Sequence, residues 1–331
     1  MVIVPGFAAT LKSEGAHAAG AQRACLARLA GRGSLLRRWD RHDFSRRALA
    51  PWQRGLLDRL GLDADVQRYA SAPTSLAAHR ADAAGYWMHA EPVHLAAGLD
   101  HLVFVALRGA LAATAAERAA LREPLAEHLQ HAGLTLHDDG HGWLVRAPAA
   151  LELTTSCPEA AEAMSLEHSL PAGPDAGPIR RLMTELQMVL HEHPVNEQRA
   201  ARGLPAINAI WLWGGGTPGT RSEARALPVA FADHDYVRGL YRLHGQECAP
   251  GVRSAEQLLA AVARRAEVLA VVPEADGDLD AAWFAPLARA LGAGRIAHLD
   301  LVLDDWRLSV GRLAWWRFWR RPRAPAEWLA G

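Results

Sequence analysis

The segment His191–Gly216, HEHPVNEQRAARGLPAINAIWLWGGG, concentrates residues able to do chemistry. It begins as a helix end, runs through a polar stretch carrying Asn196 and Arg199, and passes Pro205 and Asn208 into an apolar strand. That strand closes on Trp211, Trp213, Gly214, Gly215 and Gly216. Consecutive glycines after a strand let backbone N–H groups converge on an anion, so Gly214–Gly216 is a candidate phosphate cradle. No GK[ST] follows, and the same glycines equally suit a tight crossover that binds nothing, so both readings stand at this point. Arg238 and Arg242 lie one helical turn apart beside His244 and form a candidate anion-facing edge, for which a solvated face is the competing account. His191 and His193 are two residues apart at a helix end. They point in different directions and cannot share a metal as an i,i+4 pair would. His137 and His141 carry metal-ligand chemistry, but hairpin chemistry explains the Asp138-Asp139-Gly140 tip between them.

The remaining composition narrows the function classes. The 331 residues carry 36 basic and 36 acidic side chains, and half are hydrophobic. A neutral chain without a long basic block is not expected to bind nucleic acid generally, because phosphate needs a dense cationic face. Lys12 is the only lysine, and alanine makes up roughly a fifth of the chain, a bias that carries no functional meaning. Cys25, Cys157 and Cys248 are odd in number and form no CxxC, which points away from a disulfide scaffold or zinc ribbon and toward a reducing compartment. The apolar start, Met1–Phe7, lacks a charged flank and reads as a first strand rather than a signal peptide. No apolar run approaches the roughly 20 residues that span a bilayer. The expected location is therefore the cytoplasm. Near the end, WWRFWRR interleaves aromatics with arginine, a pattern that suits nucleobase stacking, a membrane interface, a partner, or tryptophans packed back on a sheet.

The elements that must position these residues alternate. Strands are expected at Val2–Val4, His101–Leu107, Ala209–Trp213, Val229–Phe231, Val268–Val272 and Leu299–Leu303, with His101–Leu107 buried on both faces. Helices are expected near 18–29, 51–60, 112–131, 179–191, 236–244, 254–266 and 279–291. Leu134–His137 and Trp143–Arg146 flank the Asp-Gly turn as a hairpin. Strand–helix alternation implies an α/β fold: right-handed crossovers onto a mostly parallel sheet with helices on both faces.

The Asn196-to-Gly216 block resembles the cofactor-independent phosphoglycerate mutases, specifically the archaeal-type branch of the alkaline phosphatase superfamily. The pattern there is HP-(I/V)-N, an Arg, then G-x-P-(A)-N-x-(I/L)-W-x-W-G-x-G. Here it reads His193, Pro194, Val195, Asn196, Arg199, Gly203, Pro205, Asn208, Trp211, Trp213, Gly214 and Gly216. The likeness extends to Val229–Gly245, to Ala249-Pro250-Gly251, and upstream to Trp143–Thr155, Leu170-Pro171 and the 179–191 helix, about three-quarters of the chain. The resemblance implies an alkaline-phosphatase-like core over 1–108 and 195–310, a smaller inserted α+β segment over 109–194, and an aromatic-basic tail over 311–331. The ligand-binding candidates are together Asn196, Arg199, Asn208, Trp211, Trp213, Gly214, Gly215, Gly216 and Arg238.

Enzymes of that family hold two divalent metals with Asp and His and pass phosphate through a serine. The chain departs from that pattern at each ligand. Pro5-Gly6 follows the first strand where the family has Asp-Gly, and Ala48–Trp52 replaces the serine turn, with Ser45 nearby but without the context. Glu274 and Asp276 remain in VVPEADGDLD without a His, and the last strand ends Asp304-Asp305-Trp306, again without one. Oxygen-only ligands at Asp276, Asp304 and Asp305 suit one Mg²⁺ or Mn²⁺, but not the mixed Asp/His pair. The expectation is a phosphoglycerate-mutase-like pseudoenzyme without a cofactor, resembling the proteobacterial RpfE-type regulatory proteins. It would bind a small phosphorylated ligand or a protein partner, and its tail would contact a membrane or that partner. The alternative is a metal-dependent phosphomutase or phosphatase acting on a small phosphorylated metabolite such as phosphoglycerate, using one divalent metal.

Overall fold

The computed structural model describes residues 1–7, 24–37, 48–62, 67–80, 84–98, 102–138, 140, 142–219, 225–262, 267–273 and 278–329. Lys12, Ser45, Asp139, His141, Glu274 and Asp276 lie outside the described residues. The described strands are β1 (Val2–Val4), β2 (Ser34–Arg37), β3 (Tyr86–Ala97), β4 (Leu102–Ala106), β5 (Thr135–Asp138), β6 (Trp143–Ala147), β7 (Ala209–Gly216), β8 (Val229–Phe231), β9 (Val268–Val271), β10 (His298–Leu303) and β11 (Trp306–Gly311). They form two sheets in two compact units, one of Met1–His42, Pro51–Ala64 and Arg221–Gly331, the other of Asp43–Ala50 and Asp65–Thr220.

The first unit is a six-stranded α/β sheet in the order β2-β11-β10-β1-β9-β8. Its centre is parallel: β1 pairs with β10 and β9, and β9 with β8. β11 and β2 extend one edge antiparallel. The parallel strands are short and apolar because both faces are covered, as such sheets require. Leu299, Leu301 and Leu303 share a core with helices Ala24–Arg32 and Ala285–Gly292. On the opposite face, Val302 lies against Gly55 of helix Pro51–Leu60, and Arg59 of that helix reaches Asp300. Helices therefore lie on both faces, as strand–helix alternation predicts. The first amides of helix Ala24–Arg32 find a partner on a distant element. The Asp280 carboxylate accepts from the Cys25 and Leu26 amides at 2.9 and 3.0 Å, satisfying two N–H groups of the first turn.

The second unit is an antiparallel sheet around β3, whose partners are β4, β6 and β7, with β5 beyond β6. Two expectations change here. β4 is an edge strand with Leu102 and Val103 exposed, not a strand buried on both faces. A continuous apolar run does not distinguish the two cases. β7, expected in the parallel sheet, pairs antiparallel with β3. The inserted body thus draws in strands on both sides of 109–194, because the partners of β3 lie at Trp143–Ala147 and Ala209–Gly216.

β3 carries no strand expectation from sequence, and its ladder accommodates Pro92. The N–H and C=O of Leu95 and the C=O of Val93 face Asn208 on the β7 side, so position 92 faces the other edge. On that edge β6 pairs with Tyr86–His89 and β4 with Val93–Ala97, leaving 92 between them. The missing N–H costs no ladder bond there. The expected hairpin is present as β5 and β6, with Gly140 at φ 85° and its amide on Asp138 Oδ1. Among the described residues no helix is long and apolar enough to cross a membrane.

Candidate functional site

β7 carries the WLWGGG block, and the ladder explains its glycines. Pairing runs from His89↔Trp213 to Trp87↔Gly216, so β7 spends three steps where β3 spends two. This extra residue is a β-bulge, and Gly214 takes the positive φ of 66° that such a bulge favours in glycine. The Gly214 N–H donates to Thr155 Oγ1 at 3.1 Å. A side chain on Gly214 would meet Ser71 Cβ at 2.8 Å and one on Gly216 would meet Ala70 Cβ at 2.7 Å, while the Tyr86 hydroxyl occupies the space over Gly215. The three glycines therefore let helix Ser71–Leu76 and Tyr86 approach a bulged strand, and the Gly214 amide does not face an open anion cradle.

The polar residues upstream are committed in the same way. Asn196 donates to the Leu190 and Ile207 carbonyls and accepts from the Ile207 amide, closing the loop from helix Pro194–Ala201 into β7. Asn208 bonds both the N–H and C=O of Leu95, extending the β3–β7 ladder by one side-chain rung. Arg199 is wholly buried, with Nε on the Pro205 carbonyl, one terminal nitrogen on the Leu111 carbonyl and the other on Glu117 Oε2 at 3.0 Å. Arg202 holds the second Glu117 oxygen, and Thr114 forms a reciprocal capping box with Glu117 at the start of helix Ala115–His131. Burial would raise the Glu117 carboxyl, but the Thr114 amide with Arg202 and Arg199 overcomes that and holds it below the usual range. Trp211 donates its indole N–H to the Ser156 carbonyl at 2.7 Å beneath Phe104. The block that looked most like ligand chemistry thus secures one antiparallel unit.

A second chain of groups on the same sheet was not visible in sequence. His89 and Glu91 are two apart on β3 and so share a face with Trp213 of β7. Ser71 Oγ lies 3.0 Å from His89 Nε2, the His89 ring stacks on Trp213 with centroids 4.5 Å apart, and the Trp213 N–H donates to Glu91 Oε2 at 3.1 Å. Serine beside histidine is nucleophile–base geometry, but Ser71 is wholly buried and no substrate atom reaches its hydroxyl. Glu91 is the distinctive member. Burial pushes its carboxyl up to about 7, with Arg108 opposing and Glu159 and Glu162 reinforcing the rise. The only signal for this group in sequence is the H-x-E alternation, which means little until Trp213 is known to lie opposite.

In the first unit, parallel strands end side by side where α/β sheets place ligands, at the C-terminal edge of β1 and β10. The Gly6 amide donates to Asp304 Oδ1 at 2.8 Å, and Asp305 Oδ2 accepts from Arg37 Nε at 3.0 Å. Asp304 and Asp305 form the two-residue turn between β10 and β11, Asp304 at φ 51°. Among the described residues no group of three or more His, Cys, Asp and Glu side chains could hold a metal ion. One oxygen of Asp304 thus accepts from a backbone amide and one oxygen of Asp305 from a guanidinium, while Asp276 lies outside the described residues. Arg238 sits half-buried on helix Asp235–Leu243, while Arg242 pairs with Glu247. Among the described residues Arg238 makes no ion pair, so of the expected ligand contacts it alone keeps a charged group for a ligand.

No family model matches the chain. Over 47 residues, 14% of its length, it is 47% identical to a 2,3-bisphosphoglycerate-independent phosphoglycerate mutase of Methanothrix thermoacetophila, and that match spans 12% of the relative. Among solved structures, a cofactor-independent phosphoglycerate mutase from Thermoplasma acidophilum aligns over 94% of this chain and 89% of its own, at 15% identity and TM-score 0.36. The PH0037 protein from Pyrococcus horikoshii aligns over 94% and 86%, at 13% identity and TM-score 0.36.

Proposed function

We propose that the chain is a phosphoglycerate-mutase-like protein of the RpfE regulatory type, acting in the cytoplasm without phosphomutase turnover. It engages a small phosphorylated ligand or a protein partner. The observation that carries this reading is the state of the strand ends: Gly6 and Arg37 take the carboxylates of Asp304 and Asp305, where the mutase pattern calls for metal ligands. The 47-residue similarity and the WLWGGG pattern support descent from that family, and the three free cysteines accord with a reducing compartment. Phosphoryl transfer needs a nucleophile and charge stabilisation together, and neither described constellation supplies both. Ser71 has a base beside it but no access, and the strand-end carboxylates have no nucleophile described beside them.

A coupled assay of 2- and 3-phosphoglycerate interconversion with added Mg²⁺, Mn²⁺ or Co²⁺ tests the proposal. The expected result is turnover at the level of the no-protein control. Robust metal-dependent turnover would overturn it.

A further inference from the structure

The segment after β11 is held at both ends and displayed in the middle. At its start, short helix Arg312–Trp315 is pinned by Arg32, whose guanidinium lies 4.3 Å over the Trp315 ring and donates to the Trp315 carbonyl at 3.0 Å. At its end, the Arg323 amide donates to the Ala27 carbonyl at 2.9 Å, and the Arg321 backbone lies against Gly31. Buried Trp328 then stacks on Phe7 and meets Trp306 edge-on. Successive backbone bonds Arg317→Ala314, Phe318→Trp316 and Arg320→Arg317 fold the intervening residues into tight turns. Two tryptophans of the tail therefore pack back on the unit, and the other two do not.

Leu313, Trp316, Phe318 and Trp319 are 87%, 59%, 74% and 69% exposed. Side chains in a flat patch cover one another, so exposures this high mean that the rings protrude. Phe318 and Trp319 meet edge-to-face at 5.4 Å, which gives the protrusion a fixed shape. Along this segment the charge has one sign. From Trp306 to Ala326 there are six arginines and no Asp or Glu. Arg307 turns inward to Asp58 and Asp300, whereas Arg312, Arg317, Arg320, Arg321 and Arg323 are exposed. Among the described residues none of these five pairs with a carboxylate.

We propose that this anchored loop docks the protein on an anionic lipid bilayer. Charge complementarity selects the occupant: exposed cations without a compensating acid match anionic headgroups, and amphipathic Trp side chains settle at headgroup depth. Leu313 favours lipid over single-stranded nucleic acid, because an aliphatic side chain adds to acyl burial and offers a base no ring to stack on. The arginine stems lie along the boundary while their guanidinium groups reach phosphate. The loop inserts its rings and leaves the folded unit at the surface.

The test is cosedimentation of the full chain with phosphatidylcholine vesicles, with and without about one-third phosphatidylglycerol, at low and high salt. Binding should be at least tenfold tighter to the anionic vesicles and should weaken with salt. A Trp316→Ser, Phe318→Ser, Trp319→Ser variant should lose at least tenfold in affinity. An Arg317→Gln, Arg320→Gln, Arg321→Gln variant should lose the preference for anionic lipid. Both variants should melt with the wild type, since they change only exposed side chains. Equal affinity for the two vesicle types, or unchanged binding by the aromatic variant, would overturn the proposal. So would a single-stranded oligonucleotide bound through the same residues while vesicles fail to compete.

Discussion

The Gly6 amide donates to Asp304 Oδ1 at 2.8 Å across 298 residues of sequence. This single bond joins the loop after β1 to the turn after β10. Asp304 also holds a left-handed backbone, which Asn tolerates and Ala does not. Asp304→Ala should therefore cost about 2 kcal/mol of stability from the lost bond and the strained turn. Asp304→Asn, which keeps an acceptor, should cost less than about 1 kcal/mol. Urea unfolding at neutral pH reads both. A wild-type thermal shift on adding Mn²⁺ that Asp304→Ala abolishes would contradict the assignment.

Gly214 fills a bulge against Ser71, so Gly214→Ala adds a methyl group where 2.8 Å is available and forces a positive φ on alanine. The expected loss is about 2–4 kcal/mol, seen as a lower Tm with no ligand present. An unaltered melt would show that the strand relaxes freely and would reopen the anion-cradle reading.

Arg199 is buried with its charge balanced by Glu117. Glu117→Ala leaves that guanidinium without its carboxylate and should destabilise the second unit by about 3–5 kcal/mol. Replacing both residues with apolar side chains should cost less than the sum of the single changes, because no unpaired charge remains. A strictly additive double-mutant cycle would refute the pairing.

Glu91 makes stability fall as pH rises. Its folded carboxyl titrates at about 7, above the ordinary value, so its contribution is fully present below about pH 4.5 and is lost as pH climbs through 7. Above pH 7 the loss amounts to about 3 kcal/mol. Glu91→Gln keeps an acceptor for the Trp213 N–H and has nothing to ionise. It should match the wild type near pH 5 and exceed it at pH 8, a crossover measurable by Tm against pH.

Asp300 has the opposite sign. Burial alone would raise its carboxyl, yet hydrogen bonds from Ser309 and Arg59, with Arg307 and His298 alongside, hold it at about 2. The depressed value contributes roughly 2 kcal/mol above pH 4, lost as pH falls toward 2. Asp300→Asn should be weaker at pH 7 and should lose less stability than the wild type between pH 5 and 2, in urea titrations at each pH.

Local patterning made part of this protein legible. Val2–Val4 and Val229–Phe231 are strands because short apolar runs between turn residues have few other uses, and helix Pro51–Leu60 follows from a proline start and helix-forming residues. The β5–β6 hairpin follows from Asp-Gly chemistry. β3 is hard to read from sequence, because Pro92 argues against a strand unless the gap between β6 and β4 is known. β11 reads as an alternating strand only once β10 is its neighbour. Helix Pro194–Ala201 hides in a polar stretch whose start signal is a histidine cap, His193 Nδ1 accepting from the Val195 amide.

The candidate site divides in the same way. Residue types and spacing alone identified the WLWGGG block and the aromatic-basic tail, since each is a statement about which atoms the chain possesses. Tertiary structure alone decided what those atoms do. Whether Gly214 presents an amide to an anion or to Thr155 depends on a bulge set by pairing with a strand more than a hundred residues upstream. What the Asp304 carboxylate meets depends on Gly6, and which tail rings are exposed depends on Arg32 and Phe7. Hydrogen bonds and packing act over a few ångströms in space, and distance along the chain says little about which groups will be that close.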